Sequence, residues 1–210
     1  MWNSSGQLII ITAPSGAGKT TLIKMLIEKD KEFTLSVSYT TRKPRKGEVD
    51  GEDYHFISEE EFLLKKDSYF FAEWALVHGN YYGTSKKDSY DLIEKSTTIL
   101  FDVDYQGALN LQKAFPEALS IFILPPSMQE LERRLTDRKT DTLDVIERRI
   151  KNAQKEIYYA KHFDYLLIND DLDVAFDTFY KIININKLNI HKNGKFLEPF
   201  INNFLRGSWK

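Results

Sequence analysis

The sequence predicts an α/β fold with three layers, in which helices cover both faces of a mostly parallel sheet. Three observations predict it. Short, continuously apolar and β-branched runs recur along the chain, a pattern typical of strands that are buried on both faces. Amphipathic segments of helical period separate these runs, and this alternation indicates parallel strands joined by helices. A polar, aromatic-rich block at residues 36–90 interrupts the alternation and predicts a small inserted lobe.

The first strand–helix unit begins the chain. The apolar run at residues 7–12 (QLIIIT) predicts the first strand. Residues 20–29 predict the helix that follows, because apolar side chains recur on one stripe of it. Residues 33–38 predict a second strand. Residues 39–53 are charged and punctuated by glycine and proline, so we expect a loop there.

The inserted block contains a helix signal and a hairpin signal. Ser58 and Glu61 have the spacing of a capping box, which predicts the start of a short helix. Aromatic-rich strand material follows at residues 69–82. His78, Gly79 and Asn80 interrupt it and predict a hairpin turn.

The second half of the chain resumes the alternation. It predicts strands at 97–103, 118–124 and 163–168, and helices at 142–161 and 171–189. A second capping box, from Ser127 to Glu130, follows the break at Pro125 and Pro126.

Composition excludes several classes of protein. The 210 residues are 42% hydrophobic and 29% charged, the balance of an ordinary globular protein. The net charge of −2 provides no global basic field for nucleic acid or an anionic membrane. The chain has no cysteine, which excludes disulfides, thiolate metal sites and a cysteine nucleophile. No apolar stretch approaches the roughly 20 residues that span a bilayer, and the N-terminus lacks the basic region of a signal peptide. We therefore expect a cytoplasmic protein without membrane or nucleic-acid partners.

The segment from Ala13 to Thr20 (APSGAGKT) matches a phosphate-binding Walker A motif between a strand and a helix. Its glycines let backbone N–H groups face phosphates, and the helix N-terminus adds positive partial charge. Lys19 can bridge the β- and γ-phosphates of a nucleoside triphosphate, and the Thr20 hydroxyl can bind Mg²⁺. A glycine-rich turn without a ligand is the alternative, which the GKT sequence disfavours. The strict motif begins with glycine where this chain has Ala13, a change that costs little if the backbone there is not left-handed.

The chain resembles guanylate kinases over roughly residues 6–187. The resemblance rests on five segments in the family's order: TAPSGAGKTT, VSYTTRKPRKGEVDGEDYHF, AEWALVHGNYYGTS, LFDVDYQG and LLINDD. It implies a P-loop kinase core at 6–37, 91–126 and 162–189, a GMP-binding lobe at about 38–90 and a helical lid at about 127–161. It also implies that the protein phosphorylates GMP and dGMP, with ATP as the phosphoryl donor and Mg²⁺ as the cofactor.

The resemblance assigns residues to each substrate. The ATP-binding residues would be Ala13, Pro14, Ser15, Gly16, Ala17, Gly18, Lys19, Thr20, Thr21, Asn169 and Asp170. The GMP-binding residues would be Ser38, Arg42, Arg45, Tyr54, Glu73, Tyr82, Thr84 and Asp104. The catalytic residues would be Lys19, Arg42, Arg134, Arg138 and Arg149, with Thr20 and Asp102 binding the metal.

The residue types agree with these roles, although each has a plainer alternative. Arg42 and Arg45 can supply planar forks for a phosphate, or can be solvated loop charges. Glu73 is a charge in an apolar stretch that can accept the guanine N1 and N2 protons, or can face water by strand alternation. Asp102 ends an apolar run as a metal-binding strand-end carboxylate does, and Asp104 follows two residues later, on the same side of a continued strand.

Two questions stay open at the level of sequence. Arg133, Arg148 and Lys139 compete with the lid arginines named above, because they lie next to them. Residues 190–210 form an amphipathic tail with Phe196, Phe200 and Phe204 four residues apart. The tail can dock on its own domain or form a homo-oligomer contact. The rival functions are a catalytically inactive binding module and a P-loop kinase for another small acceptor.

Overall fold

The computed structural model describes residues 6–77, 79–94, 98–137 and 142–187, together with residues 189, 201, 202 and 206. The strands are β1 (Leu8–Thr12), β2 (Phe33–Leu35), β3 (Tyr39–Thr40), β4 (His55–Phe56), β5 (Phe71–Val77), β6 (Asn80–Ser85), β7 (Thr98–Asp102), β8 (Leu119–Leu124) and β9 (Tyr165–Ile168). The helices are α1 (Lys19–Lys29), α2 (Glu59–Asp67), α3 (Lys86–Glu94), α4 (Tyr105–Ala114), α5 (Met128–Asp137), α6 (Leu143–Ile157) and α7 (Leu172–Asn186), and a 3₁₀ helix covers Tyr158–His162. The predicted tail and its oligomer contact lie largely outside the described residues.

The larger sheet is parallel throughout its described strands. Its order is β2-β7-β1-β8-β9, and every pair in it is parallel. Strand β1 is central, which explains its continuous apolar run: both of its faces are buried. The predicted α/β class is therefore confirmed.

Two apolar layers lie on the two faces of this sheet. Ile9 and Ile11 belong to a core with Leu22 of α1 and Phe179 of α7. Leu8 and Ile10 point the other way, into a core with residues of α4 and the buried Phe101 and Phe115. The alternate side chains of one strand thus hold the three layers together.

The inserted block forms a second, mixed sheet of order β4-β3-β6-β5. One expectation for this region was wrong: Tyr39 and Thr40 belong to a strand rather than to the predicted loop. Thr40 is fully buried and its hydroxyl donates to the carbonyl of Tyr81, so its side chain is part of the lobe's core. A side chain at Gly83 would contact Phe62 and Phe71 at 3.0 Å or less, so glycine is needed where β6 crosses them.

Several predicted boundaries shift by a few residues. Both predicted serine N-caps are present, since the Ser58 hydroxyl accepts the Glu61 N–H and the Ser127 hydroxyl accepts the Glu130 N–H. The helix predicted at 142–161 ends at Ile157 and tightens into the 3₁₀ helix. Strand β2 stops at Leu35, before the chain leaves for the second sheet. Within the described residues, no helix combines the length and apolarity needed to cross a membrane.

Candidate active site

A cleft of about 700 Å³ lies where the carboxyl ends of the parallel strands face the second sheet. Parallel α/β sheets commonly bind ligands at this edge. Most of the residues predicted for the site line the cleft: Ala13, Pro14, Ser15, Gly16, Gly18, Lys19, Thr20, Thr21, Ser38, Arg42, Arg45, Tyr54, Glu73, Tyr82, Asp102 and Asp104. Ala17 and Thr84 lie buried just behind this surface. The fold therefore brings the two predicted substrate sites together.

The phosphate loop, residues 13–18 together with Lys19 and Thr20, joins β1 to α1. Gly16 and Gly18 have φ angles of 98° and 94°, in the left-handed region that favours glycine. Ala13 is not among the residues with positive φ, so alanine fits at the first position of the motif. The loop thus has the backbone that phosphate binding needs.

Asn169, at the end of β9, braces the phosphate loop. Its side-chain amide is buried and donates to the carbonyl of Ala17 at 2.8 Å. A Cβ atom on Gly18 would lie 2.2 Å from Asn169 Nδ2, so the brace adds a second requirement for glycine there. The adenine contact expected of Asn169 and Asp170 stays a prediction.

Lys19 and Asp102 form an ion pair on the floor of the cleft. Lys19 Nζ lies 2.6 Å from Asp102 Oδ1 and donates to the carbonyl of Val103 at 2.7 Å. The pair joins the start of α1 to the end of β7. The exposed Thr20 side chain follows in the first turn of the same helix.

Glu73 faces the interior. Its side chain is 6% exposed, whereas the neighbouring Trp74 and Leu76 are the exposed residues of β5. The water-facing orientation suggested by strand alternation is therefore wrong, because β5 turns its charged residue inward and its larger apolar residues outward. The Thr84 hydroxyl donates to Glu73 Oε1 at 2.8 Å. Oε2 is buried and has no partner in the described part of the chain.

Burial raises the pKa of Glu73 to about 8, and the nearby charge of Asp104 adds to the shift, against the opposing hydrogen bonds from Thr84. A buried carboxyl with an unsatisfied oxygen is suited to a ligand that donates two hydrogen bonds. The geometry of Glu73 thus fits the edge of a guanine ring.

Asp104 does not continue the strand beside Asp102, as the sequence suggested. Strand β7 ends at Asp102, and Asp104 is the N-cap of α4, with Oδ1 accepting the Gly107 N–H at 2.9 Å. A Cβ atom on Gly107 would lie 3.4 Å from Glu73 Oε2. The start of α4 therefore forms one wall of the Glu73 site.

Arg42 stands at the centre of a polar cluster at the other end of the lobe. Its guanidinium lies over the Tyr54 ring, 5.3 Å from the centroid, and interacts with the Tyr82 side chain. The rings of Tyr54 and Tyr82 meet edge to face with centroids 6.0 Å apart. Burial raises the pKa of Tyr54, which stays a phenol. Arg45 lines the same part of the cleft.

Glu48 is a site residue that sequence reasoning missed. It forms a two-pronged ion pair with Arg42, with N–O distances of 2.8 and 2.9 Å. The side chain of Arg42 is only 13% exposed, so it is not a freely solvated charge. An acidic residue three positions after Arg45 in a basic stretch was the available signal.

The arginines predicted for the lid differ in their positions. Arg134 donates to Glu130 and to the carbonyls of Asn169 and Asp170, beside the phosphate loop, whereas its competitor Arg133 is 62% exposed. Neither Arg134 nor Arg149 is among the described residues that line the cleft. Arg138, with Lys139, lies outside the described residues.

Helix α6 contributes side chains that were not predicted. Asn152, Lys155 and Glu156 line the cleft, and burial raises the pKa of Glu156, with Asp104 adding to the shift and Lys19 opposing it. Asn152 and Glu156 follow Arg149 by three and seven residues, on the same helix face. This spacing could have identified them.

The metal-binding capacity of the cleft is modest. Among the residues that the structure describes, no group of three or more histidine, cysteine or acidic side chains is arranged to hold a metal ion. Thr20 and Asp102 offer two oxygen donors on the cleft wall. That set fits Mg²⁺, which commonly takes one or two protein ligands and completes its shell with phosphates and water.

Comparison with known proteins shows the family of this chain. The guanylate kinase family model matches residues 5–186. Similar curated proteins include the guanylate kinase of Dechloromonas aromatica, 48% identical over 88% of this chain and 91% of the relative. The guanylate kinase of Nitratidesulfovibrio vulgaris is 51% identical over 82% and 84% of the two chains. A crystal structure of guanylate kinase from Anaplasma phagocytophilum matches with a TM-score of 0.70 and 34% identity, covering 88% of this chain and 87% of that one.

Proposed function

This chain belongs to the guanylate kinase family, and we propose that it transfers the terminal phosphoryl group of ATP to GMP, forming ADP and GDP. The observation that supports this most strongly is the single cleft that holds the phosphate loop, the buried Glu73 and the Arg42 cluster. A triphosphate tail and a purine monophosphate can therefore bind face to face. dGMP has the same base and phosphate, so it is the expected second acceptor.

The triphosphate of ATP binds in the phosphate loop. Its phosphates accept hydrogen bonds from the backbone N–H groups of residues 18–21, at the positive end of α1, while the Ala17 N–H donates to the carbonyl of Pro14 within the loop. Lys19 leaves Asp102 for the β- and γ-phosphates when the nucleotide enters, since a phosphate carries more charge than a carboxylate.

The guanine base of GMP is bound by Glu73. Guanine donates from N1 and from the N2 amino group, and the two oxygens of one carboxylate can accept both. Adenine has no proton on N1, so against the ionised form of Glu73, the form that guanine favours, AMP would leave one carboxylate oxygen unpaired, a mismatch that discriminates strongly. Thr84 and Asp104 lie next to Glu73, and Ser38, which lines the same cleft, is a further expected contact of the base.

The phosphate of GMP lies at Arg42 and Arg45, with the hydroxyls of Tyr54 and Tyr82 as further donors. Transfer is direct and in line between the two nucleotides. The attacking phosphate oxygen is already anionic, so no general base is needed. The barrier lies in bringing two polyanions together, which Lys19 and the arginines lower by neutralising charge. Arg134, Arg138 and Arg149 belong to the segment 127–161, whose closure as a lid would exclude water and add positive charge.

Mg²⁺ bound with ATP would be held by the Thr20 hydroxyl and Asp102. When bound, it would offset the negative charge of the phosphates. Asp102 is released for this role once Lys19 has moved to the phosphates. The movement of Lys19 to the phosphates would thus place Lys19 at its ligand and make Asp102 available to the metal ion.

The two rival functions make different demands on the site. A binding module without catalysis does not need Lys19 and Thr20, both of which are present in a well-formed phosphate loop. A kinase for another acceptor does not need an inward-facing Glu73 beside Thr84. The division into core, GMP-binding lobe and lid, the cytoplasmic location, and the absence of nucleic-acid partners stay predictions.

A coupled ATP assay across GMP, dGMP, AMP, CMP and UMP tests the proposed function. We expect turnover with GMP and dGMP and little with the other three. The Glu73→Gln variant is the matched control, because it keeps the size of the side chain and removes one acceptor. Equal turnover of AMP and GMP by the unchanged protein would rule out the proposed specificity.

A further inference from the structure

We infer that Glu48 is a positioning residue for the acceptor phosphate, one that fixes Arg42 and its loop so that a second fork of the guanidinium faces the cleft. This inference rests on the proposed function, since it concerns how the same site holds the phosphate of GMP. It begins from the ion pair. Glu48 Oε2 accepts from Arg42 NH1 at 2.9 Å, and Oε1 accepts from NH2 at 2.8 Å.

Arg42 is held by more than this pair. Its NH1 group also donates to the carbonyl of Lys43 at 2.8 Å, and its guanidinium packs on the rings of Tyr54 and Phe56. Three of the five N–H donors of an arginine are used in these bonds. The Tyr82 side chain also shares a hydrogen bond with the guanidinium. The Nε–H and the second N–H of NH2, which the bonds to Lys43 and Glu48 do not use, lie on one edge of the planar group. That edge is a fork of the shape that binds phosphate.

Glu48 also closes the loop that carries Arg45. Its Oε2 accepts the backbone N–H of Arg45 at 2.6 Å, and its own N–H donates to the carbonyl of Arg45 at 3.1 Å. The Glu48 carboxylate therefore links the side chain of Arg42 to the backbone of Arg45. Both arginines line the cleft together with Glu48.

In the alternative role, the Glu48 carboxylate occupies the position where the phosphate of GMP binds, and the phosphate displaces it. Displacement would break both bonds to Arg42 and the bond to the Arg45 backbone at the same time. It would also leave a carboxylate with only 19% of its side chain exposed next to the incoming phosphate. If Glu48 stays in place, these bonds are kept and the other edge of the Arg42 guanidinium can still bind the phosphate. The geometry therefore favours a positioning role.

The direction in which the KM for GMP changes in the Glu48→Gln variant distinguishes the two roles. If Glu48 positions Arg42, the KM for GMP rises about tenfold or more, because the charge-assisted fork that orients Arg42 is lost, while the KM for ATP stays within about twofold. If Glu48 competes with phosphate, the KM for GMP falls, and the inference is overturned. Glu52→Gln is the matched control: it makes the same charge change in the same loop, on an exposed side chain.

Guanosine supplies the second readout, because it carries the base without the phosphate. Its affinity should be the same for Glu48→Gln and the unchanged protein. An equal loss of guanosine and GMP binding would indicate damage to the whole lobe and would overturn the inference. In an Arg42→Ala background, Glu48→Gln should add little further loss of GMP binding, whereas full additivity would contradict action through Arg42. Failure of the unchanged protein to phosphorylate GMP would instead overturn the proposed function.

Discussion

The Thr84 hydroxyl donates to Glu73 across the paired strands β5 and β6, and it is the one side-chain donor that supports this carboxyl group among the described residues. The hydrogen bonds from Thr84 do not compensate for burial and for the nearby charge of Asp104, which is why the pKa of Glu73 rises to about 8. The free protein therefore holds Glu73 mostly protonated at pH 7. The two donors on guanine favour the ionised form, so base binding and proton release are linked.

Guanosine binding should strengthen as the pH rises from 6.5 to 8.5. Below a pKa of about 8, each guanosine bound must expel a proton, so the dissociation constant falls toward a plateau above that pH. Titration calorimetry in buffers with different ionisation enthalpies measures the released proton. Guanosine is used because a phosphate monoester itself titrates near pH 6. A dissociation constant independent of pH, or the same slope in Glu73→Gln, would contradict the linkage.

The stability of the protein without nucleotide should fall as the pH rises from about 4.5 to about 8. In this range the folded state keeps the Glu73 proton and the unfolded state does not. Unfolding therefore releases a proton and becomes more favourable as the pH rises. Chemical denaturation of the wild type and of Glu73→Gln at several pH values measures the difference between them. The variant should gain stability relative to the wild type across this interval. A difference that does not change with pH would argue for an ionised Glu73 throughout.

Glu73→Gln should weaken GMP binding far more than ATP binding. Glutamine keeps one acceptor oxygen and places an amide donor against a guanine donor, whereas the phosphate loop is untouched. The KM values for the two substrates in one assay provide the comparison. Equal effects on both would remove Glu73 from the base site.

Lys19→Ala should lower kcat by about a hundredfold or more, the range typical of lost contacts to transition-state charge. Asp102, its ion-pair partner, keeps 29% of its side chain exposed, so water can solvate the carboxylate in the variant and the effect on folding should be smaller than the effect on turnover. Melting temperature and kcat are measured together. Near-normal turnover would refute the role of Lys19 at the phosphates.

Gly18→Ala should destabilise the protein more than Gly51→Ala. Both glycines have positive φ, 94° and 81°, so both substitutions carry the same kind of backbone strain. Only at Gly18 does the added methyl group meet a neighbour, Asn169 Nδ2, at 2.2 Å, while nothing lies within 4 Å of a Cβ on Gly51. Thermal unfolding of the two variants separates the clash from the strain. Equal losses of stability would show that the Asn169 side chain moves away from the added methyl group without a cost in stability.

Local features of the fold were readable in the sequence, and long-range features were not. The apolar run of β1, the glycine-rich turn between β1 and α1 and both serine caps depend on neighbours within a few residues, and they were predicted correctly. The inward face of Glu73 depends on the packing of α4 against β5, so alternation alone gave the opposite orientation. The contact between Asn169 and Ala17 spans 152 residues, and no local pattern encodes it. Family resemblance brought Glu73 and Arg42 into one predicted site, but it did not reveal the pairing of Arg42 with Glu48.

The brace from Asn169 to the phosphate loop has a consequence for biosynthesis. The loop is synthesised before its support, because Asn169 follows Ala17 by 152 residues along the chain. A nascent chain that has not yet exposed residue 169 outside the ribosome would carry the full motif without the amide that holds it in shape. We therefore expect stable nucleotide capture only after residue 169 has left the ribosome.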